Sequence, residues 1–288
     1  MTVQTVISAR WTHDVWLDGA LVAPGQAVVP LMSHGLHYGT GVFEGIRFYG
    51  GKPLLLDQHM QRLIASGRAI GLTLPFDTPA LCAAAGQVIA RSGLRDGYLR
   101  PIAWFDDGGL GLHAAGLSAH VAMVVWEWPK VFQPEAGISL ALSQAARATS
   151  ATLPPQAKTT GGYLIGYLAH RTARAEGFDD ALLLDSEGCL AETSSANFFA
   201  VVEGRLVTPR ADRFLNGLTR QRVMQIAAGM GLSVTETRLH PSDIAGFSEA
   251  FVTGTAVEVT PVTRIGSHQM PVGALTQRLR DAYLQGTL

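Results

Sequence analysis

The 288-residue sequence predicts a mixed α and β protein built as two domains. Short runs typical of strands alternate with amphipathic stretches typical of helices, and a hydrophobic content of 47% is enough for more than one core. The segment 129–137 carries two prolines and a glycine between apolar stretches, as inter-domain linkers often do. We therefore predict an N-terminal domain over 1–128, a linker over 129–137 and a C-terminal domain over 138–288.

The individual elements follow from local patterns. In the N-terminal domain, apolar residues at helical spacing predict one helix over 56–70 and a second over 77–91. Asp57 is the expected N-cap of the first helix. Glycine turns and apolar runs predict the strands of this domain, at 15–17, 45–49, 98–103 and 120–126. In the C-terminal domain the same signals predict helices from about 162, 218 and 273, and strands within 138–145, 181–207, 233–238 and 249–252.

Charge and cysteine content narrow the function classes. The net charge of -1 comes from 22 basic and 23 acidic residues without a basic cluster, so we expect no nucleic-acid partner and no anionic membrane partner. The N-terminus lacks a signal-peptide pattern, which favours a cytoplasmic protein. Cys82 and Cys189 show no metal-ligand spacing, and no carboxylate or cysteine motif accompanies His34 and His37. We expect no metal, and we expect small molecules or protein subunits as partners.

Lysine is scarce, because the 22 basic residues include only Lys52, Lys130 and Lys158. Lys52 follows a glycine pair and Lys130 lies in the predicted linker, so both should be solvated. Lys158 lies in the otherwise uncharged segment 154–162, just before a predicted helix. Schiff-base chemistry needs a neutral amine, whereas a solvated lysine with a pKa of about 10.4 is protonated at pH 7; burial favours the neutral form. Lys158 is therefore a candidate nucleophile, with an ordinary turn lysine as the alternative.

Several segments could bind an anion or a cationic ring. Gly217-Leu218-Thr219 precedes a helical run whose first N–H groups lack partners, which suits a phosphate as well as a capped surface helix. Thr253-Gly254-Thr255-Ala256 follows a strand and offers further backbone donors. Arg62, at the edge of an apolar helix face, could bind a phosphate or extend into solvent. Glu192 lies in an apolar strand and needs a cationic partner, for which a protonated pyridine nitrogen would serve.

Taken in order, these segments resemble the class IV aminotransferases, the fold-type IV family of pyridoxal phosphate enzymes, and especially their branched-chain members. The resemblance covers most of the chain. It implies a smaller N-terminal α/β domain and a larger C-terminal domain whose β-barrel-like core is flanked by helices and which carries the Schiff-base lysine. The matching segments are Tyr38-Gly-Thr-Gly-Val-Phe-Glu-Gly-Ile-Arg47, His59-Met-Gln-Arg62, Gln156-Ala-Lys158-Thr-Thr-Gly-Gly-Tyr163, Ala191-Glu192 through Asn197, Asn216-Gly-Leu218-Thr219 and Gly254-Thr255-Ala256.

The resemblance implies pyridoxal 5'-phosphate as the cofactor and Lys158 as the residue that forms the Schiff base. Glu192 is then expected to keep the ring nitrogen protonated, and Tyr163 to hydrogen-bond the 3-hydroxyl. The residues implied at the phosphate are Arg62, Leu218, Thr219, Gly254 and Thr255.

The resemblance also implies a substrate site. Phe43 is expected in the apolar side-chain pocket, and Arg100, supported by Arg47, at the distal carboxylate of glutamate. Tyr98 and the backbone at Ala256 match positions that bind the α-carboxylate. Three further substrate-binding positions are implied: Tyr38, and Leu110 and Leu112 in a loop that reaches across a dimer interface in the family.

The implied reaction is a two-step transamination. L-Leucine, L-isoleucine or L-valine becomes its 2-oxo acid, and 2-oxoglutarate then takes the amino group to give L-glutamate, in a homodimer or higher homo-oligomer. Two positions depart from the common branched-chain pattern: Gly162 replaces a frequent asparagine, and Thr-Ser-Ser-Ala at 193–196 replaces Gly-x-x-Glu, so Ala196 removes a carboxylate. This leaves alternatives open, namely a D-amino acid or (R)-amine transaminase, an aminodeoxychorismate lyase, or a non-catalytic protein that binds a phosphorylated ligand.

Overall fold

The computed structural model describes residues 12–106, 111–113, 116–128 and 136–286. The chain divides into two compact units, one made of residues 1–131 with 157–161 and the other of residues 132–156 with 162–288. The predicted linker over 129–137 stays a prediction, since most of it lies outside the described residues. The segment 157–161, which lies inside the predicted C-terminal domain, groups with the first unit.

The first unit contains a seven-stranded antiparallel sheet in the order β2-β1-β7-β6-β4-β5, with β3 paired to β6. Three helices, α1 (His34–Tyr38), α2 (Leu56–Ala69) and α3 (Thr78–Ser92), accompany it. Its strands are β1 (Val15–Leu17), β2 (Ala20–Val22), β3 (Gly41–Phe43), β4 (Ile46–Tyr49), β5 (Lys52–Pro53), β6 (Gly97–Phe105) and β7 (Ala119–Trp126). A core cluster joins the sheet to α2 and α3, and Phe48, Leu63, Val88 and Leu99 are fully buried in it.

The two long helices of this unit begin differently. Helix α3 follows Asp77, whose Oδ1 accepts a hydrogen bond from the backbone N of Ala80 at 2.9 Å, and this fixes the helix start. Helix α2 follows Leu55, which adopts a positive φ of 54°. The predicted cap Asp57 lies inside the first turn instead, and its Oδ1 accepts a hydrogen bond from the thiol of Cys82 at 3.1 Å.

Over its described residues, the second unit contains nine strands and the helices α4 (Tyr163–Ala175), α5 (Leu218–Gly229) and α6 (Ala274–Gln285). These helices confirm the ones expected from about 162, 218 and 273. The strands are β8 (Ile138–Ala146), β9 (Asp180–Leu184), β10 (Leu190–Thr193), β11 (Asn197–Val202), β12 (Arg205–Pro209), β13 (Val234–Thr237), β14 (Phe247–Gly254), β15 (Glu258–Ile265) and β16 (His268–Gln269).

Six of these strands form a closed ring. The order runs β10-β9-β8-β15-β14-β11, and β11 pairs back to β10 through Glu192 and Asn197. Strands β12 and β13 extend from β11, and β16 extends from β15. Phe198, Val252 and Val262 are buried in the apolar core of this unit. The predicted barrel-like core is confirmed, and two polar residues lie where it closes.

Strand β15 has no counterpart in the sequence prediction, because Pro261 within it argues against a strand. The five-residue helix α1 is too short to show a periodic pattern. Within the described ranges no helix combines the length and the apolar character needed to cross a bilayer.

Candidate active site

Lys158 lies in a short segment that runs beside β3. Its backbone N donates to the hydroxyl of Ser66 at 2.9 Å, and its carbonyl accepts from the backbone N of Phe43 at 3.1 Å. The next hydrogen bond joins Thr160 N to Gly41 O at 2.8 Å. Lys158 is half-buried, and its Nζ lies 4.9 Å from the centroid of the Phe43 ring. The backbone of the candidate nucleophile is thus fixed, and its amine lies over an aromatic face.

Arg62 is held by Glu44, a carboxylate with no exposed side-chain surface. The Nε of Arg62 donates to Glu44 Oε1 at 2.6 Å and its Nη2 to Oε2 at 2.8 Å, a two-point contact that fixes the guanidinium plane. His59 Nδ1 lies 2.7 Å from the same Oε2. Glu44 and His59 are not among the site residues predicted from the sequence, although a carboxylate within the apolar and glycine-containing stretch 41–46 is a signal of a buried ion pair.

The charges of this cluster follow from its burial. Burial acts to raise the pKa of the Glu44 carboxyl, but Arg62 and His59 outweigh that effect and hold the pKa well below its ordinary value. Burial also lowers the pKa of His59, an effect that Glu44 only partly offsets. His59 is therefore neutral at pH 7 and donates from Nδ1, so the charged pair is Glu44 with Arg62.

Arg100 lies beside Phe43 and Tyr98, two other expected substrate residues of this unit. The guanidinium carbon of Arg100 is 4.6 Å from the Phe43 ring centroid, 5.6 Å from that of Tyr98 and 5.8 Å from that of Trp126. When a guanidinium packs on aromatic faces, its N–H groups still point outward in its own plane, where they can bind a ligand. Within the described part of the chain, the buried Nε of Arg100 has no hydrogen-bond partner.

The glycine of the Phe-Glu-Gly-Ile-Arg motif, Gly45, has a steric reason. A Cβ at this position would overlap the hydroxyl of Tyr98, so only glycine lets the Tyr98 ring approach β4. Tyr98 is itself buried, and its ring lies beside that of Trp126 with the centroids 5.0 Å apart and the planes tilted by 35°. Arg47 is also buried, and its guanidinium carbon lies 5.0 Å from the Tyr49 ring centroid. The motif therefore builds the packing around Phe43 as well as the ion pair.

Two further predicted substrate positions, Tyr38 and Leu112, are exposed. Tyr38 is 40% exposed, and its hydroxyl accepts a hydrogen bond from Gly111 N at 3.1 Å. Leu112 is 83% exposed, and Leu110 lies outside the described residues. The roles of these three residues therefore remain predictions.

His34 and His37 make ordinary polar contacts. His34 Nδ1 lies 2.7 Å from Thr40 Oγ1, and His37 Nε2 lies 3.0 Å from the carbonyl of Leu31. Over the ranges that the structure describes, no group of three or more His, Cys, Asp or Glu side chains is arranged to hold a metal ion.

In the second unit, Glu192 is buried on β10 and balanced by a cation. Its Oε1 lies 3.0 Å from Arg147 Nε, and its Oε2 accepts from Asn197 Nδ2 at 3.1 Å. The sequence predicts that Glu192 needs a cationic partner, but it does not identify Arg147. One carboxylate is thus held by a charge on one side and by an amide on the other, which fixes its orientation.

Asn197 also contacts the start of α5. Its Nδ2 donates to the carbonyl of Leu215 at 3.0 Å, and its Oδ1 accepts from Gly217 N at 3.1 Å. Gly217 is the N-cap of α5 and no side chain caps the helix there, so the first-turn N–H groups of Leu218 and Thr219 have no partner within the helix. Such donors, together with the helix dipole, favour an anion.

The second glycine-threonine segment lies at the end of β14. Thr253 pairs with Asn197 across the sheet, and its buried hydroxyl has no hydrogen-bond partner among the described residues. Gly254, Thr255 and Ala256 follow it and are half-buried. Asn197 therefore brings together three predicted cofactor elements of this unit. Tyr163, the first residue of α4, is half-buried.

A family model described as amino-transferase class IV matches residues 41–265, which contain all the motifs above except the first part of the N-terminal one. The chain belongs to the class IV aminotransferases. This class IV aminotransferase is 40% identical over 266 residues to the probable branched-chain-amino-acid aminotransferase of Rickettsia conorii (strain ATCC VR-613 / Malish 7), covering 92% of this chain and 90% of that protein. It is 34% identical over 281 residues to the branched-chain-amino-acid aminotransferase of Escherichia coli (strain K12), covering 93% and 91%.

Solved structures of other class IV aminotransferases share the fold. A branched-chain aminotransferase from Thermoproteus uzoniensis, crystallised with norvaline, matches with a TM-score of 0.93 at 35% identity, covering 96% of each chain. A branched-chain amino acid aminotransferase from Thermobaculum terrenum, in its pyridoxal phosphate-bound form, matches with a TM-score of 0.91 at 27% identity, covering 97% of this chain and 95% of that one. The fold-type IV assignment is therefore confirmed.

Proposed function

We propose that this protein is a pyridoxal phosphate-dependent aminotransferase for L-leucine, L-isoleucine and L-valine, with Lys158 forming the Schiff base. The observation that carries the proposal is the setting of Lys158, whose backbone is fixed by Ser66 and Phe43 and whose Nζ lies 4.9 Å from the Phe43 ring. Relatives that cover over 90% of the chain are named branched-chain-amino-acid aminotransferases, which supports the substrate class.

The donor set fits this cofactor. Its phosphate needs cationic and backbone donors, for which Arg62 in the first unit and the uncapped start of α5 in the second are suited. Its ring nitrogen needs an anionic acceptor, which is the buried carboxylate of Glu192. The proposed cofactor residues are Lys158, Arg62, Tyr163, Glu192, Leu218, Thr219, Gly254 and Thr255.

When bound, pyridoxal phosphate supplies a ring that accepts electrons from the substrate α-carbon. Lys158 would hold the cofactor through its amine and, once released, would move the proton at the substrate α-carbon. Glu192 would keep a proton on the ring nitrogen, and Arg147 keeps Glu192 in one orientation. Tyr163 would hydrogen-bond the ring 3-hydroxyl.

The substrate side divides into an apolar and a polar part. Phe43 contacts the branched side chain, whereas Arg100, supported by Arg47, binds the distal carboxylate of 2-oxoglutarate, the proposed amino acceptor. Tyr98 and the backbone at Ala256 bind the α-carboxylate. Arg100 lies against the Phe43 and Tyr98 rings, which supports an arrangement in which one pocket accepts both substrates.

We further propose a cytoplasmic homodimer or higher homo-oligomer. The association is supported by exposed apolar side chains within the segment 28–36 of the first unit, where Val28 is 70%, Leu31 76% and Leu36 62% exposed. Tyr38, Leu110 and Leu112 are the positions proposed to complete the substrate site. Sedimentation of the purified protein at two concentrations measures the association state, and a monomer at both would contradict the dimer.

The discriminating experiment is Lys158→Ala, with Lys52→Ala as the matched control because the Lys52 side chain is exposed. We expect Lys158→Ala to abolish borohydride-fixed attachment of pyridoxal phosphate and nearly all turnover, and Lys52→Ala to retain both. If Lys158→Ala retains turnover, the proposal is wrong. If neither wild type nor control shows turnover, a phosphate-binding protein is the better account.

A further inference from the structure

Asn197 is a buried amide whose hydrogen-bonding capacity is used for holding other groups. It is 4% exposed; its Nδ2 donates to Glu192 Oε2 at 3.1 Å and to Leu215 O at 3.0 Å, and its Oδ1 accepts from Gly217 N at 3.1 Å. Two of these partners are acceptors and one is a donor, so only one orientation of the amide satisfies all three. The amide is therefore fixed.

The partners of Asn197 belong to two functional parts of the second unit. Glu192 faces it across the pair that closes the strand ring, and Gly217 is the N-cap of α5. Gly217 must be glycine, because a Cβ there would overlap Asn197 Oδ1. The residue thus spans from the proposed ring-nitrogen carboxylate to the proposed phosphate turn.

We propose that Asn197 is a positioning residue that sets the Glu192 carboxylate and the first turn of α5 at a fixed separation, matched to the ring nitrogen and the phosphate of one cofactor. This inference rests on the proposed function. It is independent of Arg147, which holds only the Glu192 end.

Two substitutions of Asn197 test its contact with Glu192 and its contact with the start of α5. Asn197→Ala removes the donor to Glu192 and the acceptor for Gly217 N. Asn197→Asp keeps an oxygen for Gly217 N but places a second carboxylate next to Glu192. The control Thr276→Val removes a buried hydroxyl that donates to Glu249 Oε2 at 2.9 Å elsewhere in the same unit.

The measurements are the dissociation constants of pyridoxal phosphate and of pyridoxal, which lacks the phosphate, and the pH midpoint of the visible band of the bound cofactor. We expect Asn197→Ala to weaken pyridoxal phosphate about tenfold or more, and to weaken pyridoxal less, since both ends of the site lose a hydrogen bond. Asn197→Asp should keep the ratio of the two dissociation constants. It should also move the pH midpoint of the visible band to higher pH, because the added negative charge favours the protonated form of the bound cofactor. Gly217→Ala, like Asn197→Ala, should lower the ratio of the pyridoxal dissociation constant to the pyridoxal phosphate dissociation constant.

The outcomes separate this proposal from the proposed function. If wild type binds pyridoxal phosphate and transaminates, but Asn197→Ala changes neither constant more than Thr276→Val does, the positioning role is wrong. An equal loss of pyridoxal and pyridoxal phosphate in Asn197→Ala would also overturn it. If wild type gives no visible band with pyridoxal phosphate, the proposed function fails and this inference fails with it.

Discussion

The guanidinium of Arg62 is held along one edge by both oxygens of Glu44, at 2.6 and 2.8 Å, and the Glu44 side chain is wholly inaccessible to solvent. A guanidinium held at Nε and Nη2 directs its opposite edge, at Nη1, away from Glu44. Glu44 therefore orients the residue proposed to bind the cofactor phosphate, while His59, neutral at pH 7, donates to the same carboxylate.

Glu44→Gln should lower the free energy of unfolding by about 3–5 kcal/mol, because it leaves the cation of Arg62 without its buried anion. Urea unfolding of the cofactor-free protein measures this change. Asp14→Asn is the matched control, since it breaks an ion pair with Arg91, whose side chain is 65% exposed, and should change stability little. Equal effects of the two substitutions would contradict a structural role for the buried pair.

The lowered pKa of Glu44 predicts that the stability of the protein depends on pH. Because the folded state lowers the pKa of Glu44, its contribution is complete above the ordinary glutamate pKa of about 4.3 and is lost as the pH falls below that value. The stability of wild type should therefore fall more steeply than that of Glu44→Gln between about pH 5 and pH 3. Urea unfolding across that range tests this, and parallel curves would mean that Glu44 is not the titrating group.

Gly45→Ala should impair substrate binding more than cofactor binding, because its Cβ would overlap the Tyr98 hydroxyl while leaving the Glu44 carboxylate in place. We expect a higher KM for L-leucine with an almost unchanged amount of bound cofactor, measured by steady-state kinetics and absorbance. Gly86→Ala is the control, since nothing lies within 4 Å of a Cβ there. A KM for Gly45→Ala that matches this control would rule out the role assigned to Tyr98.

Arg100→Leu should discriminate between the two substrates. Loss of a charge-assisted contact worth about 1.5–3 kcal/mol should raise the KM for 2-oxoglutarate about tenfold or more, with a much smaller effect on the KM for L-leucine. Arg100→Lys keeps the charge but loses the planar packing on Phe43, 4.6 Å away, and should fall between wild type and Arg100→Leu. Equal increases for both substrates would place Arg100 in general packing instead.

The sequence predicts the elements whose signals are local. The helix beginning near Asp77, the start of α5 after Gly217 and the long apolar helix faces are all readable from the residues themselves. Strand β15 is not, because Pro261 lies in its middle and the strand is held by neighbours that only the folded sheet provides.

Site residues, too, are predicted only where their signal is local in the sequence. Lys158 is identified from the scarcity of lysine and its uncharged surroundings. Glu44, Arg147 and Asn197 are missed because each acts through a partner distant in the chain or on another element, as when Glu44 holds Arg62 18 residues away. A buried carboxylate in an apolar strand indicates that a cation is needed, but only the tertiary structure identifies which one.

The most direct test of the central claim is the visible absorption spectrum of the purified protein with pyridoxal phosphate, before and after L-leucine. The account predicts a yellow band that L-leucine bleaches and that 2-oxoglutarate restores, and that is absent in Lys158→Ala. A band that responds only to D-amino acids or (R)-amines would contradict the substrate assignment. If wild type shows no band even with added pyridoxal phosphate, the claim that Lys158 binds this cofactor is wrong.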